Sequence, residues 1–544
     1  MMIRNDKSGA YTPLFCLVIV LFSLAGCSEY RRTGVSESGV VYCSEGDPST
    51  FNPQLDASGT TVDATSHQLY DRLLEINPKS NDLVPALATS WLVRDDGKTY
   101  VFQLRRDVQF HTTAYFTPQR SLNADDVIFS IDRWRLVGHP YHQVNGGEYP
   151  YFASLGLAQL IKEVRRINGY RIEIELNRPD SSFLANMATN FAVVQSAEYA
   201  EHLLAAGTPE LIDTQPVGTG PYKFESFRKG SYIRYRRHEQ YWGGDVAIDP
   251  LIYSITPRSS MRIAKLITGE CDAIAYPAHS ELQILEQRQN IVLDEKPGLN
   301  VGFWAFNTIK PPFDDARVRR ALALAIDKDT LINAVYFGSA ERAKGLLPPT
   351  SWAYQSSQRD ISYNPVLARQ LLDEAGIPKG FSMDVWAMPV ERAYNPNARR
   401  MAELIQGYLQ AIDINVNIVS FEWSTFRRKL QEGTHDSVLI GWSADSGDPD
   451  NFYRPLLSCS AIFSGTNRAN WCNEEFDKLI DQALQYTDFE QRKLFYHMAN
   501  NIISDDMPLV PIAHAFRYQA YQSQLQNFEL NPYGGVSFVG VSKK

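Results

Sequence analysis

The chain has 544 residues and a formal net charge of −9. An acidic balance argues against nucleic-acid binding, which requires a basic surface, while 44% apolar and 12% aromatic residues support large hydrophobic cores. At about 150 residues per domain, this length predicts roughly three domains.

The N-terminus has the pattern of an export signal. Residues Leu14–Leu24 form an apolar run that is too short to cross a bilayer as a helix. The run ends in the tetrapeptide LAGC at residues 24–27, which resembles the lipobox of a bacterial lipoprotein. We therefore expect a signal peptide over residues 1–26, lipid on Cys27 and a polar tether over residues 27–39. In the alternative, an ordinary signal is cleaved and Cys27 is incidental; either way the mature chain leaves the cytoplasm.

Four cysteines remain in the mature chain: Cys43, Cys271, Cys459 and Cys472. An even number in an oxidising compartment predicts two disulfides, with three possible pairings. The short spacing favours Cys459–Cys472 as a local crosslink, which leaves Cys43 with Cys271. No CxxC motif or nearby pair of histidines accompanies them, so a metal site is not predicted.

The first predicted strand is Val40–Cys43, and a turn-rich stretch over residues 44–66 follows it. A long loop without periodic structure inside a compact domain is usually functional. Gly59 and Thr60 lie in this loop and offer a hydroxyl and exposed backbone amides. A plain surface loop would have the same pattern.

The second half alternates strands with amphipathic helices, which is typical of α/β proteins. Apolar runs punctuated by proline lie at Pro297–Asn307 and Met507–Ala513, and we interpret both as crossings between domains. Between them, a single helix is predicted from a cap at Asp314 or Asp315 to Gly338.

The stretch over residues 438–452 is the strongest candidate for a binding site. Its first residues predict a short buried strand, and Gly441 ends the apolar run, which allows a backbone or a ligand to come close. Trp442 and Asp445 follow. An aromatic wall beside one carboxylate suits an ammonium group, because the charge supplies attraction and the ring supplies contact area.

A cation that complements this stretch lies upstream. Arg392 belongs to the Pro- and Asn-rich segment PVERAYNPNARR. If this loop faces Asp445 across a cleft, the site offers an anion at one end and a cation at the other. An extended dipeptide or tripeptide zwitterion separates its charges by roughly 7–10 Å, at about 3.5 Å per residue. The pattern therefore predicts a short peptide with free ends as ligand.

Motifs typical of enzymes are incomplete in this chain. Gly97-Lys98-Thr99 lacks the first glycine of a phosphate-binding loop, and His238 lacks the second histidine of a zinc protease helix. Asp445 occupies the position where a nucleophile elbow requires glycine. We therefore predict no catalytic residues, no cofactor and no metal.

Several long segments together resemble one known family. The segments VYCSEGDPSTFNPQLDASGTTVDA, PVGTGPY, WAMPVERAYNPNARRMAELIQ and GDPDNF are similar to the extracytoplasmic peptide-binding subunits of ABC importers, in the peptide/nickel-binding family. The resemblance runs from about Val40 to the end of the chain and points to the dipeptide binders. FYRPLLSC, TNRANWC and VSFVG are more similar to the Sap type of peptide-transport binding protein.

This resemblance implies an α/β fold of the periplasmic-binding-protein type II, with two lobes and an extra domain inserted in the first lobe. Lobe I would comprise residues 40–65, 185–296 and 514–544. The inserted domain would cover residues 66–184, and lobe II residues 297–513. The pairing that the family implies for the cysteines is Cys43–Cys271 and Cys459–Cys472.

The resemblance also implies roles for site residues. The carboxylate of Asp445 would hold the peptide amino group, and Arg392 would hold the carboxylate. Trp442 would line a side-chain pocket, Gly441 would allow close approach, and the loop with Gly59 and Thr60 would approach the ligand backbone.

The implied partners are short peptides and the membrane permease and ATPase subunits of an importer. The protein is then expected to be a periplasmic, monomeric, lipid-anchored protein of a Gram-negative bacterium, without nucleic-acid partners or enzymatic activity. Binding of cationic antimicrobial peptides or haem on the same fold is the alternative.

Overall fold

The structure is a computed structural model that describes residues 38–77, 80, 82–94 and 97–544. The expected signal peptide, Cys27 and almost the whole expected tether lie outside the described residues. Within the described part of the chain, no helix is long and apolar enough to cross a membrane. The same part contains no group of three His, Cys, Asp or Glu side chains that could hold a metal ion.

The first segment of the chain combines short strands with short helices. Its elements are β1 (Val40–Ser44), α1 (Gly59–Thr65), β2 (Leu74–Ile76), β3 (Leu83–Pro85), β4 (Ala88–Arg94), β5 (Thr99–Leu104), α2 (Ala124–Arg135), α3 (Pro150–Ser154), α4 (Leu157–Leu160), β6 (Ile161–Asn168), β7 (Arg171–Leu176), α5 (Phe183–Asn186) and α6 (Ala197–Ala206).

The second segment is mainly β-structure and ends at the first connection between the lobes. Its elements are β8 (Tyr222–Arg228), β9 (Tyr232–Arg237), β10 (Leu251–Ile255), α7 (Ser259–Ile267), β11 (Ala273–Ile274), α8 (Leu282–Glu286) and β12 (Ile291–Pro297).

The third segment is rich in helices. Its elements are β13 (Asn300–Phe306), α9 (Ala316–Leu324), α10 (Lys328–Tyr336), β14 (Ala340–Arg342), α11 (Pro365–Glu374), β15 (Phe381–Ala387), α12 (Ala398–Gln410), β16 (Ile414–Val419), α13 (Trp423–Gln431), β17 (Ser437–Ser443), α14 (Asp450–Leu457), α15 (Ser460–Ser464), α16 (Glu474–Ala483), α17 (Phe489–Asp506), β18 (Leu509–Gln522), β19 (Leu525–Gln526) and β20 (Ser542–Lys543).

These elements form two lobes around two parts of one mixed sheet. In the first lobe the strand order is β8-β9-β10-β1-β11, and in the second it is β16-β15-β17-β13, with β18 joining the two parts. A separate antiparallel sheet of order β4-β5-β7-β6 has its own hydrophobic core with α2 and lies within the first lobe's sequence. The α/β class, the two lobes and the insertion are confirmed.

Two neighbouring strands connect the lobes. Strand β18 pairs with β13 through residues 509–513 and with β12 through residues 516–522, so its partner changes between Ala513 and Phe516. The other connection is the short segment between β12 and β13. Asn300, the first residue of β13, connects this segment to β18. Its side chain donates to the Ala515 carbonyl at 2.8 Å and accepts from the Ala515 N–H at 2.9 Å.

Two local predictions are wrong. The single helix expected to end at Gly338 is divided into α9 and α10, because the Asp327 side chain accepts hydrogen bonds from the N–H groups of Asp329 and Thr330 and starts a new helix. The expected loop over residues 44–66 contains helix α1, which is capped by Ser58.

Both expected cysteine pairs are disulfide-bonded. Cys43 of β1 is joined to Cys271, which precedes β11, so the bond links two neighbouring strands of the first lobe. Cys459 and Cys472 form the short-range bond near the starts of α15 and α16.

Candidate functional site

A cavity of about 2360 Å³ lies between the two lobes. All six residues expected to bind the ligand line it: Gly59, Thr60, Arg392, Gly441, Trp442 and Asp445. Residues 517–518 of the connecting strand β18 also line this cavity. Closure of the lobes about the connecting strands would therefore change the shape of the same space.

Asp445 lies in the turn that follows β17 and is only partly exposed. Its N–H donates to the side-chain oxygen of Asn451 at 3.2 Å, and the Trp442 indole N–H approaches the same oxygen at 3.4 Å. Asn451 is buried in the first turn of α14 and so positions the Trp442 ring relative to the backbone of Asp445. The GDPDNF motif was noted in the sequence, but this role of its asparagine was missed.

The environment of Asp445 favours a cationic ligand. Burial raises the pKa of Asp445 to about 8, and the positive charge of Arg517 on β18 opposes that shift. The Asp445 carboxylate forms no ion pair with any described residue. In the ion pair of Arg492 with Asp448, by contrast, a guanidinium nitrogen lies 2.7 Å from a carboxylate oxygen. An ammonium group brought into the cavity would supply the missing counter-charge.

Arg392 lies in a tight turn on the second lobe. Its N–H donates to the Asn395 carbonyl at 3.2 Å, and the Asn395 N–H donates back at 3.0 Å. One guanidinium nitrogen donates to the Glu391 carbonyl at 3.0 Å, and the guanidinium carbon lies 5.8 Å from the centre of the Trp423 ring. The turn and the ring thus orient the guanidinium beside the cavity.

Glu45, at the end of β1, is an acidic group of the first lobe that sequence reasoning missed. Burial raises its pKa, and the positive charges of Arg392 and Arg262 offset part of the effect. One of its carboxylate oxygens is buried without a hydrogen-bond partner among the described residues. Asp445 is influenced by Arg517 instead, so the two expected anchors have different charged neighbours.

Gly59 and Thr60 form the first turn of α1. Ser58 caps this helix, and its hydroxyl lies 3.2 Å from that of Thr60. Burial alone would raise the pKa of Asp56, but hydrogen bonds from Ser49, Ser58 and Thr61 hold it below its ordinary value. The Asp56 carboxylate is therefore committed to ordering this segment.

Gly441 allows close approach of a protein side chain. A Cβ atom at this position would collide with the ring of Tyr394, with its Cγ at 2.7 Å. The glycine makes room for the segment that carries Arg392, a contact that could not be foreseen from the Gly441 stretch by itself.

Comparison with known proteins identifies relatives along nearly the whole chain. The profile described as "Bacterial extracellular solute-binding proteins, family 5 Middle" matches residues 82–464. The dipeptide-binding protein of Escherichia coli is 44% identical over 508 residues, which is 93% of this chain and 95% of the relative. The peptide transport periplasmic protein SapA of Salmonella typhimurium is 44% identical over 510 residues, covering 94% and 93%.

A solved structure matches over the same extent. The crystal structure of a dipeptide binding protein from a Pseudoalteromonas species, in complex with Met-Leu, superimposes with a TM-score of 0.89 at 50% identity. The match covers 93% of this chain and 100% of that chain.

Proposed function

Because this chain belongs to the bacterial extracellular solute-binding proteins of family 5, we propose that it captures short peptides between its lobes for an ABC importer. The observation that carries the proposal is the placement of Asp445 and Arg392 on one cavity, where neither forms an ion pair with another described residue. The names of the two relatives and the Met-Leu complex support a peptide as ligand.

In the proposed complex, both ends of the peptide are recognised. The amino group pairs with the Asp445 carboxylate and contacts the Trp442 ring. The terminal carboxylate pairs with the Arg392 guanidinium, whose planar donors suit a carboxylate. The start of α1, with Gly59 and Thr60, approaches the peptide backbone from the first lobe.

Closure of the lobes couples binding to transport. The segment that follows the inserted sheet already contacts the second lobe. An Arg178 guanidinium nitrogen lies 3.0 Å from an Asp481 carboxylate oxygen, and the Ser181 N–H donates to the Leu484 carbonyl at 2.9 Å. A ligand shifts the population toward the closed form only through contacts that it makes better there. Asp445 and Arg392 lie on the second lobe, and Glu45 and α1 lie on the first, so a bound peptide contacts both.

The cavity is large for a dipeptide. Ligand pockets for small molecules commonly have volumes of about 300–1,000 Å³, compared with about 2360 Å³ here. We propose that water fills the space around variable side chains, so that the ends and the backbone are recognised directly while side chains are tolerated.

The remaining expectations are parts of the same proposal. They comprise the domain limits stated above, a monomeric periplasmic protein in a Gram-negative bacterium, a lipid anchor at Cys27, and partnership with a permease and an ATPase. No catalytic step is proposed.

Titration calorimetry of the refolded mature protein with dialanine tests the proposal, because refolding removes peptides carried over from the cell. We expect saturable one-to-one binding. A folded protein that gives no heat with dialanine or with longer free-ended peptides would contradict it.

Haem is a second candidate ligand, favoured by one observation. His279 lines the cavity, and its Nε2 atom is buried without a hydrogen-bond partner among the described residues. Burial lowers the pKa of His279 to about 4, which keeps the ring neutral as metal binding requires. A Soret band that titrates to one equivalent and is lost in His279→Ala would support haem; an unchanged haem spectrum on mixing would reject it.

A further inference from the structure

Two of the arginines that line the cavity lie beside one aromatic ring, and a third lies near them. The guanidinium carbon of Arg392 lies 5.8 Å from the centre of the Trp423 ring, and that of Arg427 lies 5.7 Å from the same centre. Arg468 lies close enough to both Arg427 and Tyr394 for its charge to interact with them. We call Arg392, Arg427 and Arg468 the arginine cluster; all three side chains line the cavity.

The arginine cluster differs from neighbouring arginines in its lack of close ion pairs among the described residues. Neighbouring arginines are paired, as Arg428 is with Glu432 at 2.6 Å and Arg454 is with Asp450 at 2.8 Å. No such ion pair involves a member of the cluster among the described residues. Glu45 faces Arg392 from the first lobe but shares its charge with Arg262.

Arg468 is a member of the cluster with a buried donor that has no hydrogen-bond partner among the described residues. This donor is the Nη1 atom of its guanidinium. Burial lowers the pKa of Arg468 to about 10, and the like charge of Arg427 adds to this effect. Arg468 as a whole lines the cavity, and a buried guanidinium donor without a partner is costly unless the side chain finds an acceptor.

One terminal carboxylate cannot satisfy all three arginines. In the proposed function it neutralises Arg392, and this leaves the charges of Arg427 and Arg468 uncompensated at the same end of the cavity. Basic side chains at the C-terminal end of a peptide would add to this repulsion. A second carboxylate would remove it.

We propose that the arginine cluster selects peptides whose C-terminal residue is acidic, with Arg468 and Arg427 binding the Asp or Glu side chain while Arg392 binds the terminal carboxylate. This inference rests on the proposed function and specifies its substrate class. The side-chain carboxylate of a C-terminal residue lies only a few bonds from the terminal carboxylate. Both groups therefore reach one cluster, whereas an acidic N-terminal residue would place its charge toward Asp445.

Calorimetry with four dipeptides tests this inference: Ala-Ala, Ala-Glu, Ala-Gln and Glu-Ala. Ala-Gln matches Ala-Glu in size and differs in charge, and Glu-Ala moves the charge to the other end. We expect Ala-Glu to bind about tenfold more tightly than Ala-Gln and than Glu-Ala. Because the pairs are partly exposed to solvent, the preference should weaken as salt is added.

Variants assign the preference to the cluster. Arg468→Gln should reduce the ratio of the Ala-Glu and Ala-Gln affinities to near one. Arg427→Gln should reduce it in part and serves as the test if Arg468→Gln does not fold, since the Arg427 side chain is exposed. Arg399→Gln on α12 is the control and should retain the ratio, because Arg399 lies outside the cavity lining and pairs with Glu403.

The outcomes separate this inference from the function on which it rests. Equal binding of Ala-Glu and Ala-Gln would overturn the selectivity while leaving peptide binding intact. Equal binding of Ala-Glu and Glu-Ala, or an undiminished ratio in Arg468→Gln and Arg427→Gln, would overturn the role of the cluster. If none of the four dipeptides binds to the folded protein, the proposed function itself fails.

Discussion

Gly441 lies directly opposite Gly302 in the antiparallel pair of β17 and β13. Together the two glycines leave the space that Tyr394 fills, since a Cβ atom on either one would collide with that residue. The Tyr336 hydroxyl completes this packing by donating to the Tyr394 carbonyl at 2.7 Å. Because Tyr394 is two residues from Arg392, the glycine pair helps to position the turn that carries the guanidinium.

Replacing Gly441 with alanine should therefore damage both stability and recognition. We expect Gly441→Ala to lower the free energy of unfolding by about 1–3 kcal/mol, as overpacking usually does, and to weaken dialanine binding by displacing the Arg392 turn. Urea unfolding and calorimetry measure the two effects.

Gly407→Ala is the control for this change. Gly407 lies in the interior of α12, and a Cβ atom there would contact nothing within 4 Å. Alanine in an exposed helix interior should raise stability by about 0.5–1 kcal/mol and leave dialanine binding unchanged. Equal stability of Gly441→Ala and the wild-type protein would show that Tyr394 does not depend on the glycine pair.

Neutralising Asp445 should weaken the binding of free-ended dipeptides. We expect Asp445→Asn to reduce dialanine affinity by about a hundredfold or more, because losing one partner of a buried charge pair typically costs about 3–5 kcal/mol. Glu403→Gln on α12 makes the same change of charge at an exposed ion pair and should have no effect. Unchanged affinity in Asp445→Asn would place the anchor for the amino group elsewhere.

The same Asp445→Asn substitution should not destabilise the empty protein. The pKa of Asp445 is about 8 in the folded protein, whereas the ordinary pKa of an aspartate is 3.8. Because the group ionises more readily in the unfolded chain, the folded state loses stability as the pH rises between these two values. We therefore expect Asp445→Asn to raise the melting temperature at pH 8, by on the order of 1 °C. A lower melting temperature would mean that Asp445 has a stabilising partner in the empty protein.

Peptide binding should release a proton from Asp445. The carboxyl group is protonated below about pH 8 in the empty cavity, and an ammonium group binds its ionised form. Dialanine affinity should thus rise by up to about tenfold per pH unit between about pH 6 and pH 7.5, and fall above about pH 8 as the peptide amino group loses its proton.

Calorimetry in two buffers of different ionisation enthalpy measures this proton release directly. The release should disappear in Asp445→Asn, whereas any contribution from Asp63, whose pKa is also about 8, should remain. A proton release that is the same in both proteins would assign the titration to another group.

Arg392 should be specific for the terminal carboxylate. We expect Arg392→Gln to weaken dialanine binding by about a hundredfold and to affect dialanine amide much less, because the amide presents no carboxylate. Arg399→Gln, which removes an exposed arginine paired with Glu403 at 3.4 Å, is the control. Equal losses for the acid and the amide would indicate that Arg392 supports the fold of its turn and does not bind the carboxylate.

The local pattern of the chain predicted much of the second lobe's part of the cavity. The apolar run before Gly441 forms the first part of β17, because short-range alternation encodes a strand here. The strand continues through Gly441 and Trp442 to Ser443, and Asp445 follows in the turn. The grouping of Arg392 with Asp445 on one cavity required the family resemblance as well, since no short-range pattern relates the two residues.

Other features depend on contacts that local patterns do not contain. Arg517 reaches Asp445 from the connecting strand, and Glu45 faces Arg392 from the opposite lobe. Helix α1 was missed because it has seven residues, with β-branched residues among them, and gives too short a periodic signal. Arg468 lies in a segment whose similarity to the Sap type was noted, but its unpaired guanidinium is evident only in three dimensions.

The most direct test of the central claim is calorimetry of the wild-type protein with dialanine, N-acetyl-dialanine and dialanine amide. The account holds that one cavity binds both ends of a zwitterion, so blocking either end should weaken binding by about a hundredfold. Binding of either blocked peptide with the affinity of dialanine would contradict it, because the corresponding anchor, Asp445 or Arg392, would then contribute nothing.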